Sequence, residues 1–151
     1  MDTKASQVLG TVRILKLSFI GAGLLFLYVV FKVPANGTTH PQPAFEVIIG
    51  AIALTNIVLG FILPRFIARA GRSQSSARPS TPTQRWVSGC VLSLALFQSC
   101  NLFGVVLHSL GARIPVVESL FAAGLLAMVL WSPDAPPTEE GVANAQVSPG
   151  P

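Results

Sequence analysis

Four stretches of this chain carry almost no charge, and polar, proline-rich connectors separate them. They cover 14–33, 44–66, 86–110 and 114–131, each 18 to 25 residues long. A hydrocarbon core of about 30 Å takes about 20 helical residues to cross. The pattern therefore predicts an all-α protein, an integral membrane four-helix bundle made of two tandem helical hairpins. The first run is tight, since Lys16 and Lys32 bracket only 15 uncharged residues; long lysine stems reach the interface from both ends of such a helix. With Lys4, Arg13 and Lys16 ahead of it and Val33-Pro34-Ala35 behind, the same run also has the form of a signal sequence. Residues 70–84 (AGRSQSSARPSTPTQ) are expected to form a flexible linker. The tail 133–151, rich in proline and polar residues, is expected to be disordered.

The two hairpins look like copies of one another. A shift of 72 residues superimposes Arg13 on Arg85, Phe31 on Phe103, Pro43 on Pro115 and Glu46 on Glu118, so that a Pro-x-x-Glu pair opens the second helix of each half. A glutamate one turn inside a helix start, behind a proline, suits the unsatisfied amides and the positive end of the helix dipole.

Composition agrees with lipid as the solvent: 51% of residues are hydrophobic and 11% charged, against about a quarter charged in soluble domains. The excess of lysine and arginine over acids is placed unevenly. Eight of the ten basic residues lie in the N-terminal segment (Lys4, Arg13, Lys16) and around the central connector (Arg65, Arg69, Arg72, Arg78, Arg85); only Lys32 and Arg113 lie in the two short turns. The positive-inside rule then places both termini and the central connector in the cytoplasm of a bacterial-type inner membrane, with Trp86 and Trp131 at that same interface. The basic cluster reads as a contact for anionic lipid headgroups. Nucleic acid is not expected as a partner, because aromatic residues do not interleave with the charges.

The candidate chemistry lies in the third run. At 100° per residue Cys90, Ser93, Phe97, Asn101, Gly104 and His108 fall on one helix face, with Gln98 beside it. The second run offers Gly50, Ala53, Asn56 and Gly60, with Thr55 adjacent. Small and polar residues in such stripes let membrane helices approach closely and hydrogen-bond across. Gln98 and the Thr55-Asn56 pair lie at compatible depth, so a hydrogen bond between them is expected. The first run adds Ser18, Gly21 and Gly23, and the fourth adds Ser119, Ala123 and Ala127. At the opposite face from the basic cluster, Glu46, Glu118, His40 and His108 are residue types that a transition metal accepts, though no ligand spacing supports a site and no metal or cofactor is expected. Cys90 and Cys100, ten residues apart on one helix, cannot bridge each other.

The segment Leu96-Phe97-Gln98-Ser99-Cys100-Asn101-Leu102-Phe103-Gly104-Val105-Val106-Leu107 resembles the ion-binding helix of the c/K proteolipid subunits of rotary ATPases. There a carboxylate precedes small residues and then an aromatic-glycine-aliphatic run. Two hairpins in a chain of this length are similar to the duplicated members of that family. The resemblance implies an ion carrier, with Gln98 standing in place of the ion-binding carboxylate; an amide does not carry a proton by titrating. The matched helix opens its hairpin, whereas the family keeps its carboxylate on the second helix. With no titratable group at mid-membrane and no paired acid, base or nucleophile, the residues point to a structural or accessory membrane protein rather than an enzyme. Such a protein would associate with itself or with a larger membrane complex. The alternative is an ion or small-solute carrier that uses the neutral groups of Gln98, Asn101, Asn56, Thr55 and Ser93.

Overall fold

The computed structural model describes residues 3–33, 41–70 and 81–133. They form four helices and no strand: α1 (Thr3–Lys32), α2 (Pro43–Ala70), α3 (Pro82–Ser109) and α4 (Ile114–Leu130). His40, Arg72 and Arg78 lie outside the described residues, as do most of the central connector and the tail beyond Pro133. α1, α2 and α3 are each long and apolar enough to cross a membrane; α4, at 17 residues, is shorter, at the lower limit of about 17 for a span.

Local chemistry explains where the helices exceed the apolar runs. α1 begins 11 residues before the first run, because Thr3 to Arg13 contains no proline and several good helix formers; loss of hydropathy ended the apolar run there, not loss of helix-forming capacity. α3 begins at Pro82, four residues before the run at Trp86. Thr81 is its N-cap: the Thr81 hydroxyl accepts from the Gln84 amide at 3.3 Å, and the Gln84 side chain accepts from the Thr81 amide at 3.2 Å. This reciprocal cap, with proline at the first helical position, fixes the start. α2 continues through Pro64 to Ala70. That proline removes the amide that would bond the Gly60 carbonyl, and its ring side packs where Gly89 of α3 has no side chain. Between α3 and α4, Gly111 takes φ 77°. Ala112 donates to the Leu107 carbonyl and Gly111 to that of His108, both at 2.9 Å, which is the glycine-terminated helix end that turns the chain within a few residues.

α3 is the centre of the bundle. Half of its spanning window is buried, against 11% for α1 and for α2. It packs on all three other helices, whereas α1 and α2 barely touch and lie on opposite sides of the α3–α4 pair. Each outer helix presents a narrow face. On α2 the buried positions are Glu46, Ala53 and Gly60, seven apart, and on α1 Gly23 and Val30 are seven apart, with Lys16 half-buried one repeat earlier. A seven-residue repeat is the spacing at which helices wrap around one another with a shallow left-handed crossing. The remaining faces of α1 and α2 carry Ile14, Leu17, Leu25, Phe31, Val47 and Leu54, all more than half exposed, as lipid requires.

The packing does not follow the 72-residue shift. The shift carries buried Val12, Gly23 and Val30 onto Gln84, Ala95 and Leu102, all exposed. The halves differ because α1 sits at the edge of the bundle and α3 at its middle.

Candidate functional site

The polar seam is built on α3, and Asn101 is its fixed point. Asn101 is fully buried and inserts between two glycines. A methyl placed on Gly23 of α1 would lie 2.7 Å from Asn101 Nδ2, and one on Gly124 of α4 would lie 2.8 Å from Asn101 Oδ1. Asn101 Nδ2 donates to Gln98 Oε1 at 3.0 Å, one turn back on the same helix. Asn101 Oδ1 has no hydrogen-bond partner among the described residues; what it meets is the bare α-carbon region of Gly124, where weak C–H donors are the available complement. Two rings repeat the fit of a large side chain into a glycine gap. Phe97 fills the space at Gly60 of α2, and Phe121 of α4 fills the space at Gly104 of α3.

The expected bond from Gln98 to Thr55 or Asn56 is not formed. Asn56 Nδ2 instead donates to Ser99 Oγ at 2.8 Å, and Ser99 donates onward to the Leu96 carbonyl at 2.6 Å. The reason is rotation: neighbouring residues on a helix point about 100° apart, so α3 turns Ser99 and Cys100 toward α2 and leaves Gln98 beside Asn101. Cys100 Sγ reaches the Ala53 carbonyl of α2 at 3.5 Å. Thr55 is exposed and returns its hydroxyl to Ala51 of its own helix, and Ser93 returns its hydroxyl to Gly89. The six-residue face from Cys90 to His108 is buried throughout. On α1, Gly23 is buried while Ser18 and Gly21 face outward; on α4 the contact passes through Gly124 and Ala127, with Ser119 exposed. Gly124 is the packing position that sequence reasoning passed over; it stands seven residues after Val117 and seven before Trp131, and all three are buried.

Of the outer acids and histidines, His40 lies outside the described residues, and Glu46, Glu118 and His108 do not form a cluster. Glu46 is buried, and its carboxylate accepts from Arg113 Nε at 3.1 Å, from Nη2 at 2.7 Å and from the Arg113 amide at 3.4 Å. This joins α2 to the turn between α3 and α4, so Glu46 serves an ion pair where a capping role was expected. The carboxylate holds the Arg113 guanidinium above its ordinary range, mainly through the hydrogen bond and then through charge. Glu118 is exposed and lies beyond the first turn of α4, so the two Pro-x-x-Glu acids have different surroundings. His108 Nε2 donates to the Val33 carbonyl at 2.8 Å, closing the end of α1 onto α3, while its Nδ1 is buried with no partner among the described residues. Among the described residues no three metal-ligating side chains gather.

The other end is cationic. Arg13, Lys16, Arg65 and Arg85 stand there on three helices, and Arg69 lies on the last turn of α2. Lys16 Nζ donates to the Val129 and Trp131 carbonyls at 3.1 and 2.6 Å, supplying donors to the C-terminus of α4, where helices expose carbonyls without partners. Trp131 and Trp86 meet Val12, Cys90 and Phe97 in one apolar cluster at this end. No protein-family model, no curated protein sequence and no solved structure matches the chain, so its function has to be read from this geometry.

Proposed function

We propose that this small membrane protein is a structural or accessory component without catalytic activity, associating with itself or with a larger membrane complex. The observation that carries the reading is how closely the polar seam is packed: Asn101 lies against Gly23 and Gly124 with no room for a ligand between them. Asn56, Ser99, Gln98 and Asn101 answer one another or the backbone. Charge placement supports both termini and the central connector in the cytoplasm of a bacterial-type inner membrane. The packing of α1 on α3 and α4, closed by Lys16 on the end of α4, supports α1 as a retained span.

A second reading is favoured by one observation, the unpartnered buried oxygen of Asn101. An ion or small-solute carrier, alike in pattern to the proteolipid subunits, would use Asn101 with Gln98, Asn56 and Thr55 as neutral ligands. Reconstitution separates the two. Absence of ion flux in liposomes, with Gln98→Leu lowering only thermal stability, is the expected result. Flux through the native protein that Gln98→Leu abolishes without altering extraction or oligomer size would replace the accessory reading by the carrier. Labelling of a cysteine introduced at Ser76 from outside intact cells would overturn the orientation.

A further inference from the structure

At the cationic end, Ile67 of α2 and Gln84, Arg85, Val87 and Ser88 of α3 line an open hollow of about 480 Å³. Its polar groups are donors. Gln84 and Ser88 are four residues apart and Arg85 and Ser88 three, so they share one side of the helix. The cap at the start of α3 commits Gln84 Oε1 to the Thr81 amide, which turns the Gln84 Nε2 hydrogens into the group it offers. Arg85 adds a planar guanidinium suited to phosphate oxygens, and Ser88 an exposed hydroxyl. Among the described residues no carboxylate lines the hollow, and Ile67 and Val87 give it an apolar wall. Trp86, next to Arg85, packs in the same cluster as Trp131, and tryptophan favours headgroup depth.

We propose that this hollow binds a phosphate ester, supplied by the headgroup of an anionic phospholipid, with Arg85 as the charged partner, Gln84 and Ser88 as neutral donors, and Ile67 and Val87 against the glycerol and first acyl carbons. The apolar wall favours the lipid over free phosphate, which shares the donor chemistry. The proposal rests on the membrane setting of the chain and not on its accessory role. Arg65 is exposed on α2 and lies outside the hollow, so it serves as the matched comparison of equal charge.

The test is native mass spectrometry of the full chain released from micelles containing phosphatidylglycerol or phosphatidylcholine, with and without inorganic phosphate. Phosphatidylglycerol is expected to be retained in preference. Arg85→Gln should weaken it by about tenfold, the value of one charged hydrogen-bonding partner. Ser88→Ala should weaken it by a smaller factor, and Arg65→Gln by less than about twofold on the surface-charge scale. Displacement by inorganic phosphate would assign the site to phosphate in general; retention in its presence would assign it to the lipid. Equal retention of the two lipids, or equal losses for Arg85→Gln and Arg65→Gln, overturns the site. If Arg85→Gln fails to fold, seen as a lost thermal transition in phosphatidylcholine, Ser88→Ala decides alone, and a native-like affinity in that variant overturns the proposal. Failure of the native protein to partition into vesicles of any composition would instead strike the membrane reading itself.

Discussion

Gly124→Ala and Gly21→Ala are the same chemical change on two helices, and the structure gives them opposite signs. At Gly124 the added methyl would stand 2.8 Å from Asn101 Oδ1, 3.0 Å from the Phe97 carbonyl and 3.1 Å from Cys100 Cβ. The Phe97 carbonyl belongs to the backbone of the central helix and cannot retreat without moving α3. Asn101, fully buried, can withdraw only by turning its amide away from Gln98. Overpacking of this kind costs roughly 1–3 kcal/mol and the forfeited hydrogen bond about 1, against an intrinsic helix gain for alanine of up to about 1 kcal/mol. The net is a loss of roughly 1–3 kcal/mol. Nothing lies within 4 Å of a methyl built on Gly21, so only the helix gain remains, about 0.5–1 kcal/mol of added stability. Unfolding in mixed micelles titrated with dodecyl sulfate reads both values. A double variant that also shortens Asn101 to alanine should recover part of the Gly124→Ala loss, since the two changes act on one contact. If Gly124→Ala and Gly21→Ala shift stability in the same direction, the glycine-to-asparagine fit is not what sets the distance between α3 and α4.

Further outcomes follow from single contacts. Gly60→Ala places a methyl 2.5 Å from the Phe97 ring, which Phe61 at 5.1 Å and Trp131 at 6.3 Å already flank; a loss of roughly 1–3 kcal/mol is expected, with a change in tryptophan emission, and an unchanged midpoint would refute the packing. Arg113→Ala should lower thermal stability more than Glu46→Gln does. The first leaves a buried carboxylate without the Arg113 guanidinium, while the second removes that buried charge together with the need for a counter-charge. The reverse order would contradict the asymmetry in exposure, 66% for the Arg113 side chain and 5% for Glu46. Because Glu46 raises Arg113 above an already high range, the guanidinium's share of stability is present at neutral pH, where the carboxylate is ionised, and on the alkaline side is lost only as pH rises through that raised value. Raising pH from neutral into the mildly alkaline range should therefore leave the difference between native protein and Arg113→Ala unchanged, read as thermal midpoints. Lys16→Met should speed amide exchange in the last turn of α4 while Lys16→Arg does not, since the methionine has no donor for the Val129 and Trp131 carbonyls.

Much of the architecture was legible because hydropathy acts on every residue of a run. The lack of charge over 86–110 could mean only burial in protein or in lipid, and the tryptophans at 86 and 131 marked a shared end. The seven-residue spacing of Glu46, Ala53 and Gly60 was likewise there to be read, as was the Thr81-x-x-Gln84 cap that starts α3 ahead of its apolar run. Gln98 was legible as part of a buried seam, but its partner was not. A single residue step on α3 exchanges Gln98 for Ser99 as the side chain facing Asn56, and periodicity alone carries no reference direction for that rotation.

The sequence by itself determined that the chain is helical, that its apolar lengths suit a membrane, and that its basic residues gather at one end. These follow from transfer free energies and helix geometry, which are properties of local stretches. Only the tertiary structure decided which helix is central, that Glu46 pairs with Arg113 while Glu118 stays exposed, and that Asn101 rests between Gly23 and Gly124. Each depends on how two helices are rotated and offset against each other. That choice is made by the fit of a few large side chains into glycine gaps, and a one-dimensional pattern holds both members of such a pair without saying that they meet.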